Sequence, residues 1–224
     1  MPLDMTDTAE ARTLMVSGQL RPGAVTHARL LAAMHALPRE AFLPPALADR
    51  AYTDANIPLP GGRVLLAPLA LAKLVQLADP KAGEKVLLVG AGVGYGAAVV
   101  AACGANVTAV EEVEGLLALA RSNLARFAPE VRLREGPLAA GVAEGGPFDL
   151  VFVEGGFEVL PDALVAAVRP GSGRFVGVRV TARGIGQAEH GERAGADGAL
   201  ILRPGFDCIA PVLPGLGRPR GFAF

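Results

Sequence analysis

The stretch that most constrains the fold is residues 85–98, in which an apolar run meets a cluster of glycines. Residues 86–89 are apolar without interruption, which is typical of a short strand buried on both faces in a parallel sheet. Glycines follow at positions 90, 92 and 94, and they allow a tight turn whose backbone N–H groups can face a bound ligand. The alanine-rich run after Tyr95 predicts a helix whose N-terminus points at that ligand.

A second apolar run, residues 107–110, ends on Glu111. Neighbouring parallel strands would place the Glu111 carboxylate beside the glycine turn, where it can accept hydrogen bonds from a ribose diol. Together, strand, glycine turn, helix, strand and terminal acid indicate a nucleoside-type cofactor. The candidate cofactor-binding residues are Gly90, Ala91, Gly92, Gly94, Tyr95, Glu111 and Glu112.

Two of these candidates have other interpretations. Glu112, together with Glu114, also suits a charged first helical turn that faces water. Tyr95, at the predicted start of the helix, either closes over the cofactor or packs on the loop.

Alternating strands and helices predict an α/β fold with a doubly wound, mostly parallel sheet of the Rossmann-like type. Further strands are predicted at 131–134, at 148–153 ending on Glu154-Gly155-Gly156, and at 174–180. Residues 182–197 are interpreted as a hairpin or flexible connection, and residues 200–202 and 208–212 as possible closing strands. Residues 1–79 would form an N-terminal helical and loop lobe, in which Thr26 caps a helix, and residues 80–224 the cofactor-binding domain, together one compact unit.

Charge and cysteine usage narrow the function classes. The formal net charge of the 224 residues is −1, and no concentrated Lys/Arg run gives a reason to expect a nucleic-acid or acidic-membrane partner. Cys103 and Cys208 have no paired metal-ligand spacing and the three histidines are scattered, so no metal site and a reduced, cytoplasmic environment are expected.

Two further stretches bear on targeting. The acidic N-terminus has no apolar core, so no signal peptide is expected. Residues 86–110 carry no charge and are long enough to span a bilayer, but glycines, Asn106 and Thr108 favour strand–turn–helix–strand instead.

The stretch 51–62 is rich in Pro, Gly and Asn and predicts a long loop. It either borders the substrate or covers the edge of the sheet. Tyr52 and Asp54 are candidates for the substrate side of this loop, although a turn-stabilising pair is an equal interpretation.

This arrangement resembles the S-adenosylmethionine-dependent methyltransferases, and among them the protein-L-isoaspartate O-methyltransferase family. The run Val86-Leu87-Leu88-Val89-Gly90-Ala91-Gly92-Val93-Gly94-Tyr95 is similar to that family's cofactor motif. Upstream matches to the family's N-terminal signature are Met15-Val16, Gln19-Leu20-Arg21, Ala33-Met34, Pro38-Arg39-Glu40-Ala41-Phe42-Leu43-Pro44 and Ala51-Tyr52-Thr53-Asp54. Phe148-Asp149 and Pro170-Gly171 also fit, and the similarity runs from about residue 12 to residue 180.

The resemblance implies a protein-L-isoaspartate(D-aspartate) O-methyltransferase. Such an enzyme passes the methyl group of S-adenosylmethionine to the free carboxylate of an isoaspartyl residue in a damaged protein, so a protein or peptide is the implied partner. Three polar positions of the family pattern are changed. Leu66 replaces a hydroxyl near the acceptor, Leu88 replaces an acid on the cofactor strand, and Pro137 replaces an acid near the adenine.

Glu154 bears on the identity of the acceptor. An ionised Glu154 would repel an acceptor carboxylate by about 4 kcal/mol at about 4 Å, with an effective dielectric constant near 20. That favours an amine or amide acceptor, or a Glu154 that faces the sulfonium or the adenine amine. A solvated acid at the strand end is the plainer interpretation. The acceptor border is therefore predicted at Tyr52, Asp54, Leu66 and Glu154, with no catalytic residue assigned.

Two competing functions stay open at this point. A non-catalytic descendant serving as a binding module is motivated by Leu66, Leu88 and Pro137. A nucleotide-dependent oxidoreductase is motivated by Gly92-x-Gly94-x-x-Ala97, which also meets the permissive dinucleotide pattern. The residues that precede the first strand argue against the oxidoreductase.

Overall fold

The computed structural model describes residues 5–181, 183–194 and 198–218. The helices are α1 (Met5–Met15), α2 (Ala28–Ala36), α3 (Pro68–Ala78), α4 (Tyr95–Ala102), α5 (Glu114–Phe127) and α6 (Asp162–Ala167). The strands are β1 (Ile57–Pro58), β2 (Val64–Leu65), β3 (Lys85–Val89), β4 (Asn106–Glu111), β5 (Arg132–Glu135), β6 (Leu150–Phe157), β7 (Arg174–Val180), β8 (Gly186–Ala194) and β9 (Ala199–Asp207).

Seven of these strands form one sheet in the order β5-β4-β3-β6-β7-β8-β9, and β1 and β2 form a separate hairpin. The pairs from β5 to β7 are parallel, whereas β8 and β9 are antiparallel. In this register Val89 pairs with both Val110 and Val153. Gly90, Glu111 and Glu154 therefore meet at one edge of the sheet. The predicted fold class, a doubly wound and mostly parallel sheet, is confirmed.

The apolar run of β3 shows why the sheet is covered on both faces. Val86 and Leu88 belong to one buried cluster and Leu87 and Val89 to the other. Successive strand side chains point to opposite faces, so a strand without polar residues needs helices on both sides.

The uncharged stretch 86–110 folds as β3, the glycine turn, α4 and most of β4. Among the described residues, no helix combines the length and the apolar character needed to cross a membrane.

The N-terminal lobe shares its core with one face of the sheet. Met15, Leu30 and Leu71 lie in the same continuous buried cluster as Val86 and Leu88. The division at residue 79 marks a change of secondary structure but no break in this core, and the division into a lobe and a cofactor-binding domain that together form one compact unit stays a prediction.

Several predicted boundaries shift. Strand β6 does not end at Glu154 but continues to Phe157 through a register shift between Phe152 and Gly156. The polar residues of the 182–197 stretch form a hairpin strand, β8, although residues 182 and 195–197 lie outside the described residues. Residues 208–212 add only an isolated bridge from Val212 to Gly156, because β9 already ends at Asp207.

The cap of α2 is His27 and not Thr26, since His27 Nδ1 accepts the backbone N–H of Leu30 at 3.1 Å. Replacing His27 by alanine should therefore lower the free energy of unfolding by about 1 kcal/mol. Urea unfolding measures this loss. Thr26→Ala is the matched control, because the exposed Thr26 side chain does not cap α2 and its loss should cost clearly less. A larger loss for Thr26→Ala would contradict the assignment.

Candidate cofactor site

The glycine turn after β3 has a backbone that favours glycine. Gly90, Gly92 and Gly94 have φ angles of 89°, 55° and 90°, in the left-handed region that other residues rarely adopt. The N–H groups of Gly90 and Ala91 both donate to Val110 O at 3.0 Å, which holds the turn against β4. Gly94 is the N-cap of α4, so the turn delivers the chain directly into that helix.

Glu111 lies beside this turn and is fully buried. Its Oε2 accepts the Gly92 N–H at 2.7 Å, and its Oε1 accepts the N–H groups of Glu112 and Val113 at 3.0 and 3.1 Å. Three backbone donors therefore support this carboxylate. The structure brings the glycine turn and Glu111 together, which is the arrangement expected for a ribose-binding acid.

Arg63 occupies the same place, and the sequence analysis did not single it out. Its Nη1 lies 2.9 and 3.0 Å from the two carboxylate oxygens of Glu111, and its Nη2 donates to Gly90 O at 2.9 Å. Arg63 is 3 % exposed, and it follows the tight turn Pro60–Gly62 that joins β1 to β2. One signal was available: Arg63 is the single charged residue in residues 55–72.

Glu154 follows the paired part of β6, next to Gly90 across the sheet, and is 7 % exposed. Its carboxylate packs against the first turn of α4, and a Cβ on Gly96 would overlap with it. Its Oε2 has no hydrogen-bond partner among the described residues. Burial raises the pKa of Glu154 to about 8, even though the nearby Arg63 and Arg39 act in the opposite direction. The interpretation of Glu154 as a solvated acid is therefore wrong.

Arg39 and Tyr95 form a second buried group behind the turn. Arg39 is fully buried, and its guanidinium donates to the carbonyls of Ala51 and Leu66 and lies 5.0 Å from the centre of the Tyr95 ring. Tyr95 also packs edge-on against Phe42 at 5.2 Å. Burial lowers the pKa of Arg39 and raises that of Tyr95 to about 12. Of the two interpretations of Tyr95, packing describes this side chain.

The remaining candidates each have contacts of their own. The Tyr52 hydroxyl donates to Glu40, and Leu66 is fully buried in the core. Asp54 lines an open depression of about 540 Å³ together with Lys73 and other residues. Glu112 is not a free surface acid, since its Oε2 accepts the N–H of Leu138 at 3.1 Å. That Tyr52, Asp54, Leu66 and Glu154 border one acceptor site stays a prediction. Within the described residues, no three His, Cys, Asp or Glu side chains gather as metal ligands would.

Comparison with known proteins agrees with the fold and with the motif. Residues 10–193 match the family model described as Protein-L-isoaspartate(D-aspartate) O-methyltransferase. The chain belongs to that family. It is 42 % identical over 170 residues to the protein-L-isoaspartate O-methyltransferase of Methylorubrum extorquens. The aligned residues cover 76 % of this chain and 74 % of the relative. It is 36 % identical over 174 residues to protein-L-isoaspartate O-methyltransferase 1 of Rhodopseudomonas palustris, covering 77 % and 71 %.

Two solved structures share the fold. A protein-L-isoaspartate O-methyltransferase superposes with a TM-score of 0.79 at 23 % identity, covering 92 % of this chain and 67 % of the other. A protein described as an isoaspartate methyltransferase from Plasmodium falciparum, solved with S-adenosyl-L-homocysteine, gives a TM-score of 0.76 at 19 % identity, covering 90 % and 97 %. The family uses S-adenosylmethionine as its cofactor.

In this member of the isoaspartate methyltransferase family, the types of residue at the site suit S-adenosylmethionine. Their arrangement in the structure, however, does not leave the ribose position open. Glycines with positive φ lie beside a strand-end carboxylate, as a nucleoside requires. However, the carboxylate that would accept the ribose hydroxyls is paired with Arg63. Leu59 and Leu213 also approach the turn, where Cβ atoms on Gly92 and Gly90 would lie 3.9 and 3.0 Å from them.

Proposed function

We propose that this chain is an S-adenosylmethionine-dependent methyltransferase that methylates the free carboxylate of isoaspartyl residues in damaged proteins. The observation that carries the proposal is the glycine turn with Glu111 beside it, inside the stretch that matches the family model. S-adenosylmethionine supplies an electrophilic methyl group when it is bound. The rest of the work falls to residues of this chain.

The glycine turn and Glu111 are the groups that would hold the cofactor. Gly90 and Gly92 carry no side chain, so a nucleoside can approach the backbone closely, and Glu111 can accept a ribose hydroxyl once Arg63 has moved. An acceptor carboxylate is already ionised at neutral pH. The protein therefore needs no general base, and alignment of the two reactants can account for much of the acceleration.

The protonation state of Glu154 decides how well a carboxylate acceptor is tolerated. With a pKa of about 8, Glu154 is mostly a neutral acid at pH 7. A neutral Glu154 removes the repulsion of about 4 kcal/mol that an ionised one would exert at about 4 Å. This supports the isoaspartyl carboxylate over an amine or amide as the acceptor.

A non-catalytic descendant is the second candidate, and the pairing of Arg63 with Glu111 is the observation that favours it. The test is methyl transfer from radiolabelled S-adenosylmethionine to an isoaspartyl peptide, with the aspartyl peptide of the same sequence as control. We expect labelling of the isoaspartyl peptide alone. Cofactor binding without labelling would remove the acceptor assignment, and absence of binding at millimolar S-adenosylhomocysteine would favour the non-catalytic candidate.

The proposal extends to location and partners. A cytoplasmic location is supported by Cys103 and Cys208. Both are buried free thiols, as is usual for proteins in a reducing environment. Damaged proteins would be the substrates. The net charge of −1 and the absence of a basic run in the sequence support no nucleic-acid partner.

A further inference from the structure

We propose that Arg63 is an internal occupant of the ribose position, so that its guanidinium and the cofactor compete for the Glu111 carboxylate. The inference rests on the proposed function, because it concerns the site that would bind S-adenosylmethionine. It adds a residue that limits cofactor affinity and that is carried by the hairpin of β1 and β2.

The hydrogen-bonding capacity of Glu111 is already taken. A carboxylate offers about four lone-pair positions. The N–H groups of Gly92, Glu112 and Val113 use three of them, and Arg63 Nη1 lies within 3.0 Å of both oxygens. A ribose diol needs to donate to the same carboxylate, so it can bind only after the guanidinium has left.

The guanidinium also fills the space that the glycine turn creates. A Cβ on Gly90 would lie 2.7 Å from Arg63 Nη2, and Nη2 donates to the carbonyl of Gly90 itself. The position that lacks a side chain in the turn is therefore filled by a side chain from elsewhere in the chain. Competition with a nucleoside is thus steric as well as electrostatic.

The turn that precedes Arg63 has few backbone restraints. Gly61 and Gly62 are exposed, and both have φ of 69°. The hairpin on either side has only two paired positions, Ile57 with Leu65 and Pro58 with Val64. Glycines with few ladder bonds around them allow a change of backbone conformation at low cost. Arg63 can therefore leave the carboxylate without disturbing the sheet.

The contacts of Glu111 make Arg63 the better residue to change. Without Arg63, Glu111 retains three backbone N–H donors, and these hold its carboxylate in place. Arg63→Gln is thus expected to fold while it opens the ribose position. Arg174→Gln is the matched control, because it also breaks an Arg–Glu pair, with Glu84, but lies away from the glycine turn.

Isothermal titration calorimetry with S-adenosylhomocysteine tests the inference on the full chain. We expect Arg63→Gln to bind at least 10-fold more tightly than the unaltered protein, and Arg174→Gln to bind with unchanged affinity. Circular dichroism confirms that each variant is folded. If Arg63→Gln does not fold, Arg63→Lys replaces it in the titration. Lysine retains the positive charge but lacks the planar guanidinium that contacts both Glu111 and Gly90. A higher affinity of Arg63→Lys for S-adenosylhomocysteine then supports the inference.

The outcomes separate this inference from the proposed function. Equal or weaker binding by the Arg63 variant, with measurable binding by the unaltered protein, would overturn the competition and leave the proposed function standing. Binding by the Arg63 variant alone would support the competition in its strongest form. Absence of binding by both, up to millimolar ligand, would overturn the competition together with the proposed cofactor site.

Discussion

Replacing Glu111 by glutamine should lower the free energy of unfolding by about 3–5 kcal/mol, because it leaves the Arg63 guanidinium buried without its counter-ion. Arg63 would retain only neutral acceptors, the carbonyl of Gly90 and the amide oxygen of the new glutamine. The new amide would in addition direct an NH₂ group toward backbone N–H donors that now contact a carboxylate oxygen. Since domains are stable by only about 5–15 kcal/mol, this is a large share of the total.

Urea unfolding at pH 7 measures the effect, with Arg63→Gln as the paired comparison. The arginine variant should lose less, because three backbone N–H groups still support Glu111. The Arg63→Gln/Glu111→Gln double variant should lose less than the sum of the two single losses. A loss below about 1 kcal/mol for Glu111→Gln, or a larger loss for Arg63→Gln, would contradict this account of the pair.

The sequence predicts the central part of the fold because its signals there are local. The apolar run of β3, the glycines after it and the acid at the end of β4 lie within residues 85–111. Each has a direct backbone consequence: a doubly buried strand, positive φ angles and a carboxyl at the edge of the sheet. The structure has these backbone features where the sequence predicts them, and their role in cofactor binding stays a prediction.

Arg63 could not be placed from the sequence because its position depends on tertiary contacts. It lies 48 residues before Glu111 and reaches it through a hairpin with only two paired positions. Short strands of this kind carry almost no periodic signal. Arg39 enters the sequence analysis only as part of the family signature. Its burial was not predicted, because arginine is seldom fully buried, and here the carbonyls of Ala51 and Leu66 accept its N–H groups.

Glu154 was located correctly along the chain, but its environment was not predicted. An acid after a buried strand normally reaches solvent at the end of the sheet. Here β6 continues to Phe157 past a register shift, which keeps Glu154 under the first turn of α4. The continuation depends on pairing with β7, and no pattern inside residues 148–157 indicates it.

Glu154 should make stability fall as the pH rises from about 5 to 9. Its pKa is about 8 in the folded protein, whereas the ordinary value for a glutamate is 4.5, so between these values the folded state binds a proton that the unfolded state has released. The stabilisation is complete below the unfolded pKa and is lost as the pH rises through the folded pKa. A difference of this size corresponds to about 3–5 kcal/mol.

The measurement compares urea unfolding of the unaltered protein and of Glu154→Gln at pH 5 and pH 9. Glutamine does not ionise, so the variant should gain about 3–5 kcal/mol relative to the unaltered protein between the two pH values. Glu130→Gln, which removes an exposed acid, is the control and should leave the pH dependence unchanged. A constant difference between Glu154→Gln and the unaltered protein would mean that Glu154 is ionised at neutral pH. Its charge would then oppose a carboxylate acceptor, and the case for an amine or amide acceptor would become the stronger one.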